Sequence, residues 1–328
     1  MTEYKEIIAS IIIPVYNVES YLKNCLDSIF VKQEINLPIE VIVVNDSSTD
    51  GSLNILNEYK KQHDFILITQ DNSGLGSARN TGINQSHGKY LMFMDSDDYF
   101  VPDSLHLLLN YLAVSEEDIV EYDYKTCNEA QSRSFDKKMI SPVEYGTGQE
   151  VFAIWEKNGF YRPMVWVRAV SREMIVSNKL YFYPGIFHED EEWSPKIFAY
   201  ASTVRFLPLV IYVYRIRDGS CTACKTIKHY IDLLKCIEKL KEFSISQNFS
   251  LEYNKAIWRI IIYFYFMVIK KIKFNGKFNE DLISELERNK DLIRFSEDFH
   301  RRFFYRLIID KLGIKTFYIL KYGYKDFL

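Results

Sequence analysis

The sequence predicts an α/β fold with a mostly parallel sheet that carries helices on both faces, followed by a helical C-terminal region. Two observations lead to this prediction. In the first part of the chain, short apolar runs of strand length alternate with stretches of helical periodicity, as in parallel sheets with crossover helices. The formal charge then changes from −11 over residues 1–224 to +8 over residues 225–328. We therefore expect two domains that meet near residue 224.

The first two strand–helix units come early in the chain. Residues 10–15 are apolar and predict a buried strand, and a helix is expected at residues 21–30. Residues 39–44 predict a second strand, and residues 53–62 its helix. The candidate N-cap residues of this second helix are Ser48, Thr49 and Asp50. Each strand therefore leads into a polar loop before its helix begins.

Two further units follow the same plan. Residues 65–69 predict a third strand, and the helix after it contains Arg79. Residues 90–94 predict a fourth strand, with a helix at residues 102–113. In parallel sheets of this kind, ligands bind outside the carboxyl ends of the strands. The polar clusters that follow the four strands therefore predict one binding site at one edge of the sheet.

Three carboxylates, Asp95, Asp97 and Asp98, directly follow the fourth strand. Side chains alternate along a strand, so Asp95 and Asp97 are expected on the same side, where they can bind one hard cation. Placing these acids together costs desolvation and repulsion unless a metal or a polar ligand offsets both. A turn that only caps the next helix is the alternative interpretation.

At these positions the chain resembles the family 2 glycosyltransferases, which have the GT-A fold. The resemblance covers roughly residues 7–222 and depends on six motifs in the family's order and spacing. The motifs are residues 14–17, 44–51, 72–80, 95–98, 188–191 and 214–220. Ser47 departs from the family, which usually has glycine there. The resemblance implies that residues 1–224 form a Rossmann-like GT-A domain.

The resemblance further implies a binding site for a nucleotide sugar, the donor. The residues that shape its nucleotide pocket are Pro14, Tyr16 and Glu19, and Asp46 is expected to bind the base or the ribose. On the ribose and phosphate side the implied residues are Asn72, Gly74 and Arg79, and Asp95 and Ser96 are also assigned to donor binding. The residues expected to close over the diphosphate are Arg215, Arg217 and Ser220. His188 is assigned to the same site, with a packed, hydrogen-bonded histidine as the alternative.

The resemblance also assigns the metal site and the general base. Asp97, together with Asp95 in this DXD motif, is implied to hold a divalent metal, Mn²⁺ or Mg²⁺, on the diphosphate. Asp190 is the implied base, with Glu189 beside it. A departing nucleoside diphosphate requires a metal and Arg donors to offset its charge, and a positioned base contributes roughly 10²–10⁴ in rate. The residue types therefore fit the implied chemistry.

The implied activity is that of a metal-dependent, inverting hexosyl- or N-acetylhexosaminyltransferase (EC 2.4). Its donor would be a UDP-sugar, and its acceptor a lipid-linked glycan in bacterial surface polysaccharide synthesis. The alternative is a non-catalytic, glycosyltransferase-like partner subunit at the membrane. Such a degenerate copy is expected to lose Asp97 or Asp190, and both are present. An oxidoreductase is disfavoured, because residues 74–79 lack the third glycine of a dinucleotide-binding loop.

Residues 225–328 are basic and rich in aromatic residues, with 21 Lys and Arg against 13 Asp and Glu. Their periodicity predicts helices at residues 230–243, 253–272, 279–288 and 300–312. Basic residues among aromatic ones predict a peripheral membrane contact, carried by Lys270, Lys271, Lys273, Arg301, Arg302 and Arg306. The alternative is a helical bundle whose aromatic residues form its own core or a homodimer interface. No apolar stretch is long enough to span a bilayer, and no recognition motif predicts nucleic-acid binding.

Five cysteines and the lack of a signal-peptide pattern predict a reducing compartment. Together with the basic C-terminal region, they predict a cytoplasmic protein at the inner face of the cell membrane.

Overall fold

The computed structural model describes residues 6–33, 35–128, 133–135, 141–217, 226–274, 277–295 and 299–322. The chain divides into two compact units, Met1–Ser220 and Cys221–Leu328. Each unit has its own set of buried apolar residues.

The first unit begins with four strands that alternate with three helices. The strands are β1 (Ala9–Val15), β2 (Ile39–Asn45), β3 (Ile66–Thr69) and β4 (Tyr90–Phe93). The helices are α1 (Glu19–Phe30), α2 (Ser52–Lys60) and α3 (Leu75–Gln85). The bounds that the sequence predicts for these strands and helices differ from the observed bounds by at most two residues.

The remainder of the first unit adds shorter helices and six more strands. The strands are β5 (Tyr99–Phe100), β6 (Ile119–Asn128), β7 (Arg133–Phe135), β8 (Tyr145–Gly146), β9 (Arg168–Ser171) and β10 (Val204–Ile216). The helices are α4 (Leu105–Val114), α5 (Gly148–Lys157), α6 (Arg172–Ser177) and α7 (Glu189–Tyr200). A short 3-10 helix, Val165–Val167, precedes β9.

Ten strands of the first unit form a single sheet. Its order is β3-β2-β1-β4-β9-β6-β10-β5, with β7 paired to β6 and β8 paired to β10. Most residue pairings are parallel, because β3, β2, β1 and β4 run together and β6 runs with β10. Strand β9 is antiparallel to both of its neighbours, β4 and β6. The predicted α/β class with a mostly parallel sheet is confirmed.

The carboxyl ends of the first strands lie side by side. All seven residues of β1 are buried, as expected for a central strand covered on both faces. Val15 pairs with Asn45, and Asn45 pairs with Thr69, so β1, β2 and β3 end level with one another. Strand β4 pairs with the other side of β1 and also runs parallel to it. The polar loops that follow these strands therefore share one edge of the sheet.

The second unit consists mainly of helices. They are α8 (Ile227–Ser246), α9 (Leu251–Ile269), α10 (Glu280–Arg288) and α11 (Phe299–Tyr322). Helix α9 ends three residues before the predicted bound, and a small hairpin of β11 (Lys273–Phe274) and β12 (Lys277–Phe278) follows. Helix α11 runs past the predicted end at residue 312, across a kink at Gly313, whose φ is 77°. Among the described residues, no helix is both long and apolar enough to cross a membrane.

Aromatic residues of the second unit pack largely against one another. The ring of Tyr305 lies 5.6 Å from that of Phe266 and 5.0 Å from that of Phe317. The Lys321 ammonium lies 4.0 Å from the centre of the Tyr305 ring, a cation–π contact. Other apolar side chains are exposed, among them Leu312, Ile319 and Leu320. The unit therefore has both an aromatic core and apolar residues at its surface.

Candidate active site

Two loops at the carboxyl edge of the sheet are bound to each other. Asn17 Oδ1, after β1, accepts a hydrogen bond from the Thr49 N–H at 2.7 Å, and Glu19 Oε2 accepts one from the Gly51 N–H at 2.5 Å. Asp50 Oδ2 in turn accepts from the Glu19 N–H at 3.0 Å. The N-cap of α2 is Gly51, so the prediction of an N-cap at residues 48–50 is wrong. Their side chains bind the neighbouring loop, and Asp50 Oδ1 also accepts a hydrogen bond from the N–H of Ser52, the first residue of α2, at 2.9 Å.

Asp46 holds a third loop in place. Its carboxylate is almost fully buried and accepts three hydrogen bonds, from Gln70 Nε2 at 2.8 Å, the Ser73 N–H at 2.9 Å and the Gly74 N–H at 2.8 Å. Gly74 has a φ of 87°, which favours glycine and turns the chain into α3. A carboxylate has about four lone-pair sites, so one acceptor site remains for the predicted contact with a base or ribose.

The other nucleotide-side residues differ in exposure. Pro14 is buried within β1, whereas Tyr16 and Asn72 are exposed at the edge. Ser47 has a φ of 58°, a left-handed conformation that explains why glycine is usual there in the resembling family. Its hydroxyl donates to the Gln70 carbonyl at 2.9 Å, which ties the Asp46 loop to the end of β3.

The acidic motif lies on a turn and not on a strand. Strand β4 ends at Phe93, and the Asp98 N–H donates to the Asp95 carbonyl at 3.0 Å. The expectation that strand alternation brings Asp95 and Asp97 together is therefore wrong, since the turn determines their positions. Ser96 between them is buried, and both carboxylates remain partly exposed, at 27% and 22% of their side-chain surface.

Arg79 connects this turn to Glu189, the residue that precedes the predicted base Asp190. Its guanidinium is 3% exposed and binds Asp95 Oδ1 through Nη2 at 2.8 Å and Glu189 Oε1 through Nη1 at 2.6 Å. Burial lowers the pKa of Arg79, but Asp95 and Glu189 outweigh it, so the pKa is raised and the group stays charged. Burial raises the pKa of Asp95, which Arg79 opposes. Arg79 thus joins two carboxylates from motifs that lie far apart in the sequence.

The first turn of α7 presents the remaining predicted residues. His188 is its N-cap and has a φ of 65°, and its half-buried side chain does not cap the helix. Glu189 is buried, and burial raises its pKa to about 7 despite the Arg79 contact. Asp190 is half-buried, and its Oδ1 accepts a hydrogen bond from the Glu191 N–H at 2.9 Å. The charge of Asp190 also helps to raise the pKa of Arg79 and that of Asp95.

Strand β10 brings two arginines to Asp97. Arg217 Nε binds Asp97 Oδ2 at 2.7 Å, and Arg215 Nε donates to the Asp97 carbonyl at 2.8 Å. Both guanidinium groups lie over the ring of Tyr21, at 5.1 Å and 5.0 Å from its centre. Arg215 belongs to β10 and Arg217 directly follows the strand, so both lie at its carboxyl end. Ser220, the third residue predicted here, lies outside the described residues.

Two residues that sequence reasoning did not assign to the site, Tyr212 and Asp98, hold the acidic turn in place through hydrogen bonds. The Tyr212 hydroxyl donates to Asp98 Oδ2 at 2.8 Å and accepts from the Asp95 N–H at 3.0 Å. Asp98 Oδ1 accepts from the Arg215 N–H at 2.7 Å, and burial raises the pKa of Asp98 well above its usual value. The Tyr212 ring stacks on Trp166 with ring centres 4.5 Å apart. Asp98 belongs to a motif, but nothing in the sequence marks Tyr212.

Asp95 and Asp97 are the residues that could hold the implied divalent cation. Within the described residues, the second oxygen of Asp95 and that of Asp97 make no hydrogen bond, and carboxylate oxygens suit Mn²⁺ and Mg²⁺. The described part of the chain has no group of three or more acidic, His or Cys residues that could hold a metal. Ions of this kind are commonly held by one or two carboxylates plus substrate phosphates, so the two acids fit the implied metal.

The comparisons with known proteins agree with this geometry. Residues 10–182 match the family described as glycosyl transferase family 2. Glycosyltransferase GlyA of Streptococcus pneumoniae is 31% identical over 259 residues, covering 76% of this chain and 36% of GlyA. The poly(ribitol-phosphate) beta-glucosyltransferase of Bacillus spizizenii is 40% identical over 216 residues, covering 64% of this chain and 32% of that enzyme. This chain therefore spans about a third of the length of these two relatives.

A solved structure covers almost the whole chain. The crystal structure of S. aureus TarS 1–349 in complex with UDP-GlcNAc has a TM-score of 0.73 and 18% identity. It covers 97% of this chain and 91% of the TarS chain, which supports the GT-A fold. The family match over residues 10–182 contains the loops at the ends of the four strands, together with Arg79 and the acidic turn. The chain belongs to the family 2 glycosyltransferases.

Proposed function

We propose that this protein is an inverting glycosyltransferase that moves a sugar from a UDP-sugar to a lipid-linked glycan in bacterial surface polysaccharide synthesis. The observation that carries the proposal is the Arg79 bridge, which links Asp95 to Glu189 at 2.8 Å and 2.6 Å. It puts the donor side and the base side of the site in direct contact, although Arg79 and Glu189 are 110 residues apart in the sequence.

The donor's diphosphate would lie between the acidic turn and the end of β10. Arg215 and Arg217 supply positive charge at this point, and both contact Asp97. Asp95 and Asp97 would hold Mn²⁺ or Mg²⁺, which offsets negative charge on the diphosphate. The arginines stabilise the nucleoside diphosphate as it leaves, because guanidinium groups bind phosphate through charge-assisted hydrogen bonds.

Asp190 would take the proton of the acceptor hydroxyl. It is half-buried, next to the buried Glu189, whose carboxylate is bound to Arg79. Among the described residues we assign one carboxylate base to the site and no residue as a nucleophile. A single in-line displacement follows, so an α-linked donor gives a β-linked product.

The names of relatives support the choice of substrates. The Bacillus spizizenii relative is a beta-glucosyltransferase acting on poly(ribitol phosphate), and TarS was crystallised with UDP-GlcNAc. We infer a hexosyl- or N-acetylhexosaminyltransferase that uses UDP-sugars and acts at the inner face of the cell membrane. The basic second unit supports the peripheral location, because it attracts the anionic lipid of a bacterial membrane.

The proposal is tested by donor turnover in the absence of the unknown acceptor. UDP-glucose, UDP-galactose and UDP-GlcNAc are incubated with the full chain and Mn²⁺, and UDP release to water is measured. We expect release from at least one donor, with the freed sugar initially in the β configuration by NMR. Initial release of the α sugar contradicts inversion. UDP binding without turnover of any donor, in the presence of cell-envelope glycolipid as acceptor, favours the non-catalytic partner subunit.

A further inference from the structure

Asn80, on α3 beside Arg79, makes two reciprocal hydrogen bonds to one distant residue. Its Nδ2 donates to the Phe182 carbonyl at 2.8 Å, and its Oδ1 accepts from the Phe182 N–H at 2.8 Å. Phe182 lies in a stretch without regular secondary structure, 102 residues further along the chain. A single amide side chain therefore satisfies both backbone polar groups of Phe182, as a neighbouring strand would.

The Phe182 side chain is fixed just as firmly. It is buried, stacks on Trp193 with ring centres 4.5 Å apart, and meets Phe93 of β4 edge to face at 5.4 Å. Trp193 lies in α7, four residues after Glu189, and its Nε1 donates to the Leu180 carbonyl at 2.8 Å. The chain at Phe182 is therefore bound to α3 through its backbone and to α7 through its ring.

From Phe182 the chain leads directly to the proposed base. Residues 182–190, the base segment, pass through left-handed conformations at Gly185 (φ 73°) and His188 (φ 65°) before α7 begins. The base segment lies on the first turn of α3, because a Cβ on Gly76 would lie 3.1 Å from the Tyr183 carbonyl oxygen and 3.4 Å from Glu189 Cγ. Asn80 holds the start of the base segment, and Arg79 holds its end at Glu189.

We propose that Asn80 is a positioning residue for Asp190. By fixing Phe182, it sets where the base segment begins and hence where the Asp190 carboxylate meets the acceptor hydroxyl. This inference rests on the proposed function and adds a residue to it. Of the residues assigned to the donor, Asp46, Asp97, Arg215 and Arg217 lie outside α3 and outside the base segment, so their contacts should survive the loss of the Asn80 side chain. A displacement of about 1 Å at a reacting group can cost about 10²-fold in rate.

The test compares Asn80→Ala with Asn84→Ala, a matched control on the same helix whose side chain is exposed. UDP release from the preferred UDP-sugar gives kcat and KM, calorimetry with Mn²⁺ gives the affinity for UDP, and hydrogen exchange reports on residues 181–190. We expect Asn80→Ala to lower kcat by about 10- to 100-fold with KM and UDP affinity unchanged, and to speed exchange in the base segment. Asn84→Ala should match the wild type in all three.

Asn80→Asp keeps the size of the side chain and the acceptor for the Phe182 N–H, but it faces the Phe182 carbonyl with a second acceptor. It should also lower kcat selectively, and it keeps the test valid should Asn80→Ala fail to fold. An unchanged kcat in both variants, or an equal loss of kcat and UDP affinity, overturns the positioning role. A wild-type chain that releases no UDP from any donor contradicts the proposed function itself, and the positioning role falls with it.

Discussion

The candidate active site contains more acidic side chains than arginine side chains. Five carboxyl groups, of Asp95, Asp97, Asp98, Glu189 and Asp190, lie close to the guanidinium groups of Arg79, Arg215 and Arg217. Like charges at short range repel and raise the cost of ionisation, most of all where they are buried. Burial and these like charges raise the pKa values of Asp98 and Glu189, and the open side next to Asp97 is where we expect the divalent cation of the proposed function.

The first prediction concerns this cation. Asp97→Asn keeps the shape of the side chain and removes the charge that would bind the metal. UDP binding in the presence of Mn²⁺ should be lost, while thermal unfolding should change little because Asp97 is partly exposed. Calorimetry with Mn²⁺ and with EDTA measures the binding. The control is Asp64→Asn at a fully exposed position, and unchanged Mn²⁺-dependent binding in Asp97→Asn contradicts the metal assignment.

The second prediction separates the two carboxylates at the start of α7. Asp190→Asn should keep the affinity for UDP and lower turnover by roughly 10²–10⁴, the loss expected when a general base is removed. Glu191→Gln, the next acid along the helix, serves as the control. A nearly silent Asp190→Asn together with an inactive Glu189→Gln shows that Glu189 is the base.

The third prediction follows from the burial of Glu189. Its pKa is raised from 4.5 to about 7 in the folded chain, so the folded protein keeps a proton that the unfolded chain releases at lower pH. Glu189 therefore lowers the free energy of unfolding as the pH rises from about 4.5 to about 7, by an amount on the order of 3 kcal/mol. Below this window Glu189 is protonated in both the folded and the unfolded state, so it does not make the free energy of unfolding depend on pH.

Urea unfolding of the wild type and of Glu189→Gln at several pH values measures this effect. The wild type should lose stability relative to the variant between about pH 4.5 and about pH 7, and the difference should stay constant above this window. A difference that stays constant over this range means that the Arg79 contact keeps Glu189 ionised in the folded protein. The ion pair between Glu189 and Arg79 would then outweigh the cost of burying the Glu189 charge.

Among the elements, β10 does most to form the donor side. Tyr212 of the strand supports the acidic turn, while Arg215 of the strand and Arg217, which directly follows it, reach Asp97. Strand β5 follows the turn and pairs with β10 at Tyr212, so the turn is closed against the strand that supplies its arginines. The position of Asp97 thus depends on the register between β5 and β10.

The fourth prediction tests this support. Tyr212→Phe removes one hydroxyl that binds both Asp98 and the Asp95 N–H, which should lower stability by about 1–3 kcal/mol and weaken Mn²⁺-dependent UDP binding. The matched control is Tyr122→Phe on β6, because the buried Tyr122 hydroxyl has no hydrogen-bond partner within the described residues. Equal effects of the two substitutions contradict a supporting role for the Tyr212 hydroxyl.

The sequence is most informative where one strand is buried on both faces. Strands β1, β2 and β4 are continuous apolar runs, and their ends are predictable because polar residues follow at once. The antiparallel direction of β9 was not predictable, since hydrophobic patterns do not encode pairing direction. The motifs likewise identify Arg79 and Glu189 but not their contact, which depends on how α3 and α7 pack.

For the whole molecule, the difference in charge between the two parts of the chain is the main property left to test. The fifth prediction is that the full chain co-sediments with phosphatidylglycerol liposomes at low salt and is released at high salt. Each lysine near an anionic surface contributes about 1 kcal/mol, and salt screens this attraction. The side chains of Arg301, Arg302 and Arg306 lie outside the described part of the chain, so the test uses the described lysines.

Replacement of Lys270, Lys271 and Lys273 by serine should weaken sedimentation with the liposomes. The control replaces Lys23, Lys61 and Lys157, three exposed lysines of the first unit, and should leave it unchanged. Equal sedimentation of the two triple variants means that the second unit serves packing or dimerisation. The internal stacking of Phe266, Tyr305 and Phe317 fits that alternative.

The hydrogen bonds made by Asn17, Glu19, Asp46 and Asp50 join the nucleotide-side loops to one another through contacts of the protein itself. Ordering a loop costs about 1–2 kcal/mol of conformational entropy per residue, and here folding has already met that cost. A nucleotide therefore meets a rigid pocket, and its affinity should reflect the contacts it makes rather than the freedom the chain gives up. A fragment of the donor, such as uridine alone, should therefore still bind. Its affinity should depend only on the contacts that the fragment itself makes.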